Sequence, residues 1–213
     1  MRTTSKQDRP KNMIALLIDA PNIITILGLF LSLAAVALAI QQEYNFAIIA
    51  VLWAVIADWI DGWLASRLSQ RPAAHGEIGA QLDSFADFTS SGLFPAVLIM
   101  TMGDFSFLAV AVALFLAAAG VLRLSFFNVF GTTEDGKITG LPIAHNIIVL
   151  TGLFLLRPMI ESSMFFHILA ATGVVLAVAN VGPFFFPRGR PIVIPWLLAF
   201  ALASSIWLSA SSA

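Results

Sequence analysis

The chain has 213 residues, of which 59% are hydrophobic and only 11% are charged. This composition excludes an ordinary soluble globular domain and is typical of an integral membrane protein. The formal net charge of −1 predicts no nucleic-acid partner, and the absence of cysteine excludes disulfides, cysteine-ligated zinc and a cysteine nucleophile.

Apolar runs of about 20 residues, the length that crosses a bilayer, recur along the chain. They predict an all-α bundle of seven transmembrane helices, with six or eight as alternatives. The predicted spans lie near residues 22–41, 46–66, 81–102, 105–127, 142–160, 164–182 and 192–211. The apolar stretch 13–21 is too short to cross, and it predicts an interfacial helix that breaks at Pro21. We expect a single membrane domain over residues 1–213, with a cytoplasmic tail and interfacial helix at 1–21 and the bundle at 22–211.

The lysine and arginine residues predict the orientation, because short cytoplasmic loops are enriched in both. With seven alternating spans, nearly all of them fall on one side of the membrane: Arg2, Lys6, Arg9, Lys11, Arg67, Arg71, Lys137, Arg188 and Arg190. Arg157 is the exception and falls near the other side. We therefore expect a cytoplasmic N-terminus and a C-terminus on the opposite side.

Four aspartates lie within or at the edge of the predicted spans, where a charged side chain is costly and usually marks function. Asp58 and Asp61 are three residues apart and Asp83 and Asp87 are four apart, so each pair shares one helix face. The predicted orientation puts both pairs in the cytoplasmic half of the membrane, at a depth similar to that of Arg123. Hard divalent cations with oxygen ligands would neutralise such a cluster, and two of them are a recurring device for displacement at phosphorus. The aspartates therefore predict a site for two Mg²⁺ or Mn²⁺ ions.

Three small residues accompany the aspartates. Gly62 and Ala65 continue the helix face of the first aspartate pair, and Gly79 comes one helical turn before the second. Without large side chains, these positions let a bulky ligand approach the helix backbone. The alternative is that they only allow the helices to pack closely.

The aspartate segments resemble the signature of a known enzyme family. "DWIDGWLASR" at 58–67, followed by "GAQLDSFAD" at 79–87, resembles the pattern D-x-x-D-G-x-x-A-R and G-x-x-x-D-x-x-x-D of the CDP-alcohol phosphotransferases. "APNIITILGLFLSL" at 20–33 resembles the first span of that family. The segment 122–146 is similar to part of its phosphatidylserine synthase subgroup.

The chain departs from these patterns at three places. Ser66 follows Ala65 where the family has an arginine, and Arg67 comes one residue later. The connection from Ser66 to Gly79 is a few residues longer than in the family. Phe126 stands where the subgroup has a second arginine. These differences concern the residues that would bind the diphosphate and select the acceptor, and none of them changes an aspartate of the pattern.

The resemblance implies transfer of a phosphatidyl group from CDP-diacylglycerol to an alcohol, with release of CMP. It implies that Asp58, Asp61 and Asp83 bind the metal ions and that Asp87 is both a ligand and the general base. The residues expected to bind the CDP-lipid are Asn22, Thr25, Asp58, Gly62, Ala65, Ser66, Arg67, Gly79 and Asp83. The residues expected to bind the acceptor or a phosphate are Arg123, Asn128 and Lys137.

The subgroup resemblance favours L-serine as the acceptor, with glycerol 3-phosphate, inositol phosphate or another polar alcohol as alternatives. It also implies a homodimer among the lipids of the bacterial inner membrane, with the active site facing the cytoplasm. A different class of protein, a cation transporter, would also place carboxylates inside the membrane. Two plainer interpretations stay open: Arg123 pairs with an aspartate, and His145 and Asn146 only cap the fifth span.

Overall fold

A computed structural model describes residues 12–69, 71–187 and 191–211 of the chain. Its α-helices are α1 Ala20–Ile40, α2 Tyr44–Arg67, α3 Ala73–Phe88, α4 Phe94–Met102, α5 Phe107–Phe130, α6 Ala144–Leu156, α7 Ser162–Asn180 and α8 Ile194–Ala210. The predicted tail at 1–11, with its four basic residues, lies outside the described residues, as do Arg188 and Arg190.

Each of the seven predicted spans corresponds to a helical segment. The third span is the longest, because α3, a π-helical turn at Thr89–Leu93 and α4 run on from one another over Ala73–Met102. Within the described chain, five segments are long and apolar enough to cross a membrane, namely α1, α2, α3 with α4, α5 and α7. The shorter apolar helices are α6, with its 3-10 extension, and α8. The all-α membrane class is therefore confirmed, while the number of crossings and the orientation stay predictions.

The segment before α1 differs from the prediction. In place of an interfacial helix over 13–21, the structure has a single 3-10 turn at Ile14–Leu17. Pro21 does not break a helix, because it lies in the first turn of α1, where an N–H group would have no partner in any case. The prediction for Pro21 was wrong because proline favours the start of a helix as strongly as it ends one.

A short two-stranded antiparallel sheet joins two connections on the side of the bundle where α5 ends. Strand β1, Lys137–Thr139, pairs with β2, Phe185–Pro187, with Ile138 opposite Phe186. Gly140 follows β1 at a φ of +71° and donates its N–H to the Phe184 carbonyl at 2.8 Å. The sheet ties the α5–α6 connection to the end of α7.

The buried apolar core lies between α2, α4, α5, α6 and α7. Its largest fully buried side chains are Ile48, Leu52, Phe94, Leu98, Ile99, Leu116, Ile143, Ile147, Leu150, Phe154, Phe165 and Leu169. Equally large apolar side chains point outward, among them Phe30 on α1, Leu114 on α5 and Val175 on α7. A bundle that is apolar on its outside as well as inside is suited to lipid, where close packing of side chains holds the helices together.

Gly140→Ala should lower the midpoint of thermal unfolding in detergent by roughly 4–8 °C, which corresponds to about 2 kcal/mol. The added Cβ would meet the Asn180 carbonyl oxygen, and the left-handed backbone would be strained as well. Gly136→Ala is the matched control, because Gly136 has a φ of +70° but nothing within 4 Å of its Cβ position. Equal shifts for the two variants would contradict a role for the contact with Asn180.

Candidate active site

Three of the four aspartates meet between α2 and α3. Asp58, Asp83 and Asp87 each offer a carboxylate oxygen, and the three oxygens lie within 4.8 Å of one another. The Oδ1 atom of Asp58 is buried, and no residue in the described part of the chain makes a hydrogen bond to it. A buried polar atom of this kind is costly unless something supplies a partner for it, so the cluster fits an oxygen-seeking cation.

Asp61 lies apart from this cluster and contacts α1 instead. Its side chain is only 4% exposed, and its Oδ2 atom accepts a hydrogen bond from the Thr25 hydroxyl. The same hydroxyl lies 3.0 Å from the Pro21 carbonyl oxygen of the preceding helical turn. The fourth aspartate therefore links α2 to the N-terminal turns of α1.

The turn that follows Asp87 is anchored by α6. The π-helical turn Thr89–Leu93 begins two residues after this aspartate. The fully buried Asn146 donates from Nδ2 to the Ser91 carbonyl oxygen in that turn at 3.0 Å. The interpretation that His145 and Asn146 cap the helix was wrong, because α6 begins at Ala144 with Ile143 in the N-cap position.

A cavity of about 440 Å³ opens beside the three aspartates, and we call it the larger aspartate cavity. Its lining combines the three carboxylates with the end of α2, the buried Arg123 of α5 and the start of α6. The lining residues include Asp58, Trp59, Gly62, Trp63, Ser66, Asp83, Asp87, Arg123, Ile138 and His145. Ile138 reaches it from β1, so the small sheet forms part of its wall. The cavity therefore brings a guanidinium and three carboxylates to one space.

Arg123 faces this cavity without a close ion pair to any carboxylate of the described residues. Its guanidinium lies over the Phe127 ring, 5.0 Å from the centroid, and no described residue makes a hydrogen bond to its buried Nε atom. Among residues 12–69, 71–187 and 191–211 it makes no salt bridge within 4.0 Å. A close ion pair between Arg123 and an aspartate is therefore not seen, although the guanidinium and Asp87 line the same cavity and attract each other electrostatically.

A second cavity of about 210 Å³, the smaller aspartate cavity, lies between α1, α2 and α3. It is lined by Pro21, Asn22, Thr25, Asp61, Gly62, Ala65, Arg71, Gly76, Gly79, Ala80 and Asp83. Gly62 and Asp83 also line the larger aspartate cavity. The two cavities therefore meet at these two residues.

Residues 18–182 match the family described as CDP-alcohol phosphatidyltransferase. The chain belongs to the CDP-alcohol phosphatidyltransferase family. It is 34% identical to the archaetidylserine synthase of Methanothermobacter thermautotrophicus, over 77% of this chain and 69% of that protein. It is 30% identical to the CDP-diacylglycerol–serine O-phosphatidyltransferase of Bacillus subtilis, over 58% of this chain and 68% of that protein. The Helicobacter pylori (strain J99) protein of the same name is 26% identical over 58% of this chain. The family predicted from the aspartate pattern is thus confirmed.

Two arginines follow Ser66, which stands where the family's motif has an arginine, and they make different contacts. Arg67, next to the motif position, stacks over Trp63 at 4.9 Å and lies outside the lining of both aspartate cavities. Arg71, from the lengthened connection, lines the smaller aspartate cavity. It donates to Asp19 Oδ2 at 2.6 Å and to Asn22 Oδ1 at 2.7 Å. The Asp19–Arg71 pair was not predicted from the sequence, although the length of the connection was a signal that could have indicated it.

Gly79 and Gly62, the two glycines of the pattern, have different surroundings, and these surroundings distinguish close helix packing from space for a ligand. At Gly79 an added Cβ would lie 2.5 Å from Asn22 Oδ1 and 2.8 Å from Arg71 Nη2, so a larger residue would displace these two hydrogen-bonded side chains. At Gly62 an added Cβ would meet no atom of the residues that the structure describes within 4 Å. The small size of Gly62 therefore leaves open space between the two cavities.

The structure does not bring every predicted residue to the aspartates. Asn128 is exposed on α5 and donates to Ser84 Oγ at 3.0 Å, while Lys137 is exposed on β1. Neither belongs to the lining of the two cavities. Phe126, in place of the subgroup's second arginine, packs its ring 4.6 Å from that of Phe130, away from the cavity lining. In contrast, His145 and Trp59 line the larger aspartate cavity, although no sequence pattern indicated a binding role for either.

Thr25→Val should lower the free energy of unfolding by about 1–3 kcal/mol, because the buried Asp61 carboxylate would lose its hydroxyl partner. Thr25→Ser is the matched control, since it keeps the hydroxyl. The measurement is thermal unfolding of the purified protein in detergent. If the valine variant were as stable as the serine variant, the hydrogen bond between α1 and α2 would not contribute to stability.

Proposed function

We propose that this enzyme transfers the phosphatidyl group of CDP-diacylglycerol to L-serine and releases CMP. The proposal rests on one observation, the meeting of three carboxylates and an unpaired buried guanidinium at one cavity of a family member. We place the aspartate end of the bundle at the cytoplasmic face of the cell membrane, in keeping with the basic residues Arg67, Arg71 and Lys137 at that end. A homodimer is part of the proposal on the family resemblance alone.

Asp58, Asp83 and Asp87 are the proposed ligands of Mg²⁺ or Mn²⁺, because their oxygens already converge and one of them lacks a partner. A divalent cation bound there would neutralise charge on the diphosphate and make CMP a better leaving group. Asp61 remains a proposed ligand for the second of the two ions. Thr25 contacts its Oδ2 atom, so that role would fall to Oδ1.

Asp87 is the proposed general base. It lies in the metal-binding cluster and lines the larger aspartate cavity, where the acceptor would bind. As the acceptor oxygen forms a bond to the β-phosphorus, the Asp87 carboxylate takes the hydroxyl proton, and the bond from that phosphorus to the oxygen of CMP breaks. The π-helical turn held by Asn146 fixes the helix just beyond this aspartate.

The lining of the larger aspartate cavity favours serine over phosphorylated acceptors. Arg123 supplies one guanidinium there, and the fork geometry of its N–H groups matches one carboxylate. In the described part of that lining, His145 is the other basic side chain. Glycerol 3-phosphate and inositol phosphate would bring more negative charge beside three carboxylates, so they suit this cavity less well.

The smaller aspartate cavity is the proposed binding place for the cytidine and ribose of the donor. Gly62, Ala65 and Gly79 keep its walls small, and Asn22 and Thr25 contribute polar atoms. We propose that Arg71 supplies the positive charge that the motif arginine supplies in relatives, because its guanidinium lines this cavity. The family membership favours this enzyme over the cation transporter, which the aspartates alone would also allow.

Asp87→Asn should lower CMP release by at least about 10²-fold, because the amide cannot accept the acceptor proton. The assay uses purified protein in detergent with CDP-diacylglycerol, Mn²⁺ or Mg²⁺, and L-serine, glycerol 3-phosphate or inositol phosphate. We expect release that depends on serine. If the wild type released CMP with another alcohol, the proposed mechanism would stand and the acceptor would change. If the wild type bound Mn²⁺ but released no CMP with any acceptor, the proposed function would be contradicted.

Arg71→Gln should raise the KM for CDP-diacylglycerol about tenfold or more, because a charge-assisted contact to the donor would be lost. Arg67→Gln is the matched control and should change that KM less than about threefold, since Arg67 stacks on Trp63 outside the cavity. Steady-state kinetics of CMP release measure both variants. A larger increase in KM for Arg67→Gln than for Arg71→Gln would show that Arg67, and not Arg71, contacts the donor.

A further inference from the structure

A third cavity, of about 560 Å³, lies at the opposite end of the bundle from the aspartates, and we call it the distal cavity. It is formed where α2 and α7 begin and where α4, α6 and α8 end. Tyr44 in its wall is 14 residues before Asp58 on α2, which corresponds to about 21 Å along the helix axis. Its volume is in the range of small-molecule sites, and it is separate from the proposed reaction.

Arg157 is held in the distal cavity by aromatic rings. Its guanidinium lies 5.5 Å from the centroid of Tyr44 and 5.7 Å from those of Phe154 and Phe165. Both phenylalanines are about 1% exposed, so two of the three rings are fixed in the core. Cation–π contacts of this kind hold the position of a guanidinium while its N–H groups stay available at the edge.

The distal cavity also carries one negative charge. Asp104 lines it from the turn after α4, is exposed, and has a φ of +47°. Throughout the part of the chain that the structure describes, neither Arg157 nor Asp104 forms a salt bridge within 4.0 Å. The cavity therefore holds a cation and an anion that do not form a close ion pair with each other.

We propose that the distal cavity binds the headgroup of a zwitterionic phospholipid, with the phosphate on Arg157 and a primary ammonium group on Asp104. An arginine fork binds a phosphate through two parallel hydrogen bonds, and a carboxylate accepts N–H groups from an ammonium. The start of α7, which reaches the cavity at Ser162, adds partial positive charge on the phosphate side. The binding does not depend on the proposed reaction.

Two features select this headgroup among lipids. A headgroup with net negative charge would be repelled by Asp104, so an anionic lipid is disfavoured. A quaternary ammonium group binds best to aromatic faces, but here the rings already contact the Arg157 guanidinium. A primary ammonium, which can donate N–H groups to a carboxylate, is therefore preferred over a choline.

The position of Arg157 also agrees with a lipid partner. With seven spans it is the arginine at the end of the bundle that the positive-inside rule predicts to be poor in basic residues. A basic residue kept at that end, beside aromatic rings at a membrane boundary, is placed where lipid phosphates lie. The distal cavity thus faces the headgroups of the leaflet opposite the proposed active site.

The test is lipid binding to the full chain purified in detergent, measured by native mass spectrometry with short-chain phosphatidylethanolamine, phosphatidylcholine and phosphatidylglycerol. Phosphatidylethanolamine should bind most tightly. Arg157→Gln should weaken this binding about tenfold or more, because a charge-assisted pair of hydrogen bonds is lost. Arg67→Gln is the matched control, since Arg67 also stacks on an aromatic ring, but at the other end of α2.

Asp104→Asn tests the ammonium half of the proposal without risk to the fold, because asparagine tolerates the positive φ at this position. It should remove the preference for phosphatidylethanolamine over phosphatidylcholine, whereas Glu43→Gln, an exposed carboxylate at the same end outside the cavity lining, should not. Soluble glycerophosphoethanolamine is added as a further arm. If this soluble compound bound as tightly as phosphatidylethanolamine, the distal cavity would still be a binding site for the headgroup, but its ligand would be a soluble compound.

Three results would overturn the proposal. The first is binding of phosphatidylethanolamine that is unchanged by both Arg157→Gln and Asp104→Asn. The second is tighter binding of phosphatidylglycerol than of phosphatidylethanolamine to the wild type. The third is an equal loss in the Arg67→Gln control, which would show a response to total charge and not to the distal cavity.

Discussion

The rest of the structure is arranged around one constraint, the mutual repulsion of three carboxylates that converge within 4.8 Å inside a membrane bundle. Like charges at such distances in a medium of low dielectric constant strongly oppose ionisation, unless cations or donors compensate them. The neighbouring helices supply connections that keep α2 and α3 together in spite of this cost. Asp61 is tied to Thr25 of α1, and Asn146 of α6 holds the turn beyond Asp87.

The same constraint explains why α1 matters to a site whose carboxylates lie on other helices. Asn22 donates to the carbonyl oxygens of Leu16 and His75, at 2.8 and 3.2 Å, and accepts from Arg71. One buried amide therefore joins the segment before α1, the start of α3 and the connection between α2 and α3. A shift of α1 would move both sides of the smaller aspartate cavity at once.

The sequence could predict the membrane class, the positions of the helices and the aspartates, because long apolar runs and helical spacing are local signals. It could not predict that Asp61 separates from the other three. Residues three apart differ by about 60° around a helix, and the position of Thr25 on α1 decides which side of α2 each carboxylate faces. The sheet was also missed, because its strands have three residues each and pair across more than 40 residues of sequence. Arg71 reaches Asp19 from a connection that is a few residues longer than the family pattern has, so the pattern points to Arg67 instead.

On the proposed function, Gly62 lies where the donor and the acceptor would meet. No side chain of the described residues lies within 4 Å of its Cβ position, so packing alone does not require a glycine there. It lies where the larger and the smaller aspartate cavities join, together with Asp83, a member of the carboxylate cluster. On the proposed assignment, the nucleotide enters from one cavity and the serine from the other, and the bond that breaks must lie where they join. On the same assignment, a side chain at Gly62 would occupy space beside the reacting groups, which is a reason for the smallest residue to stand next to the carboxylates.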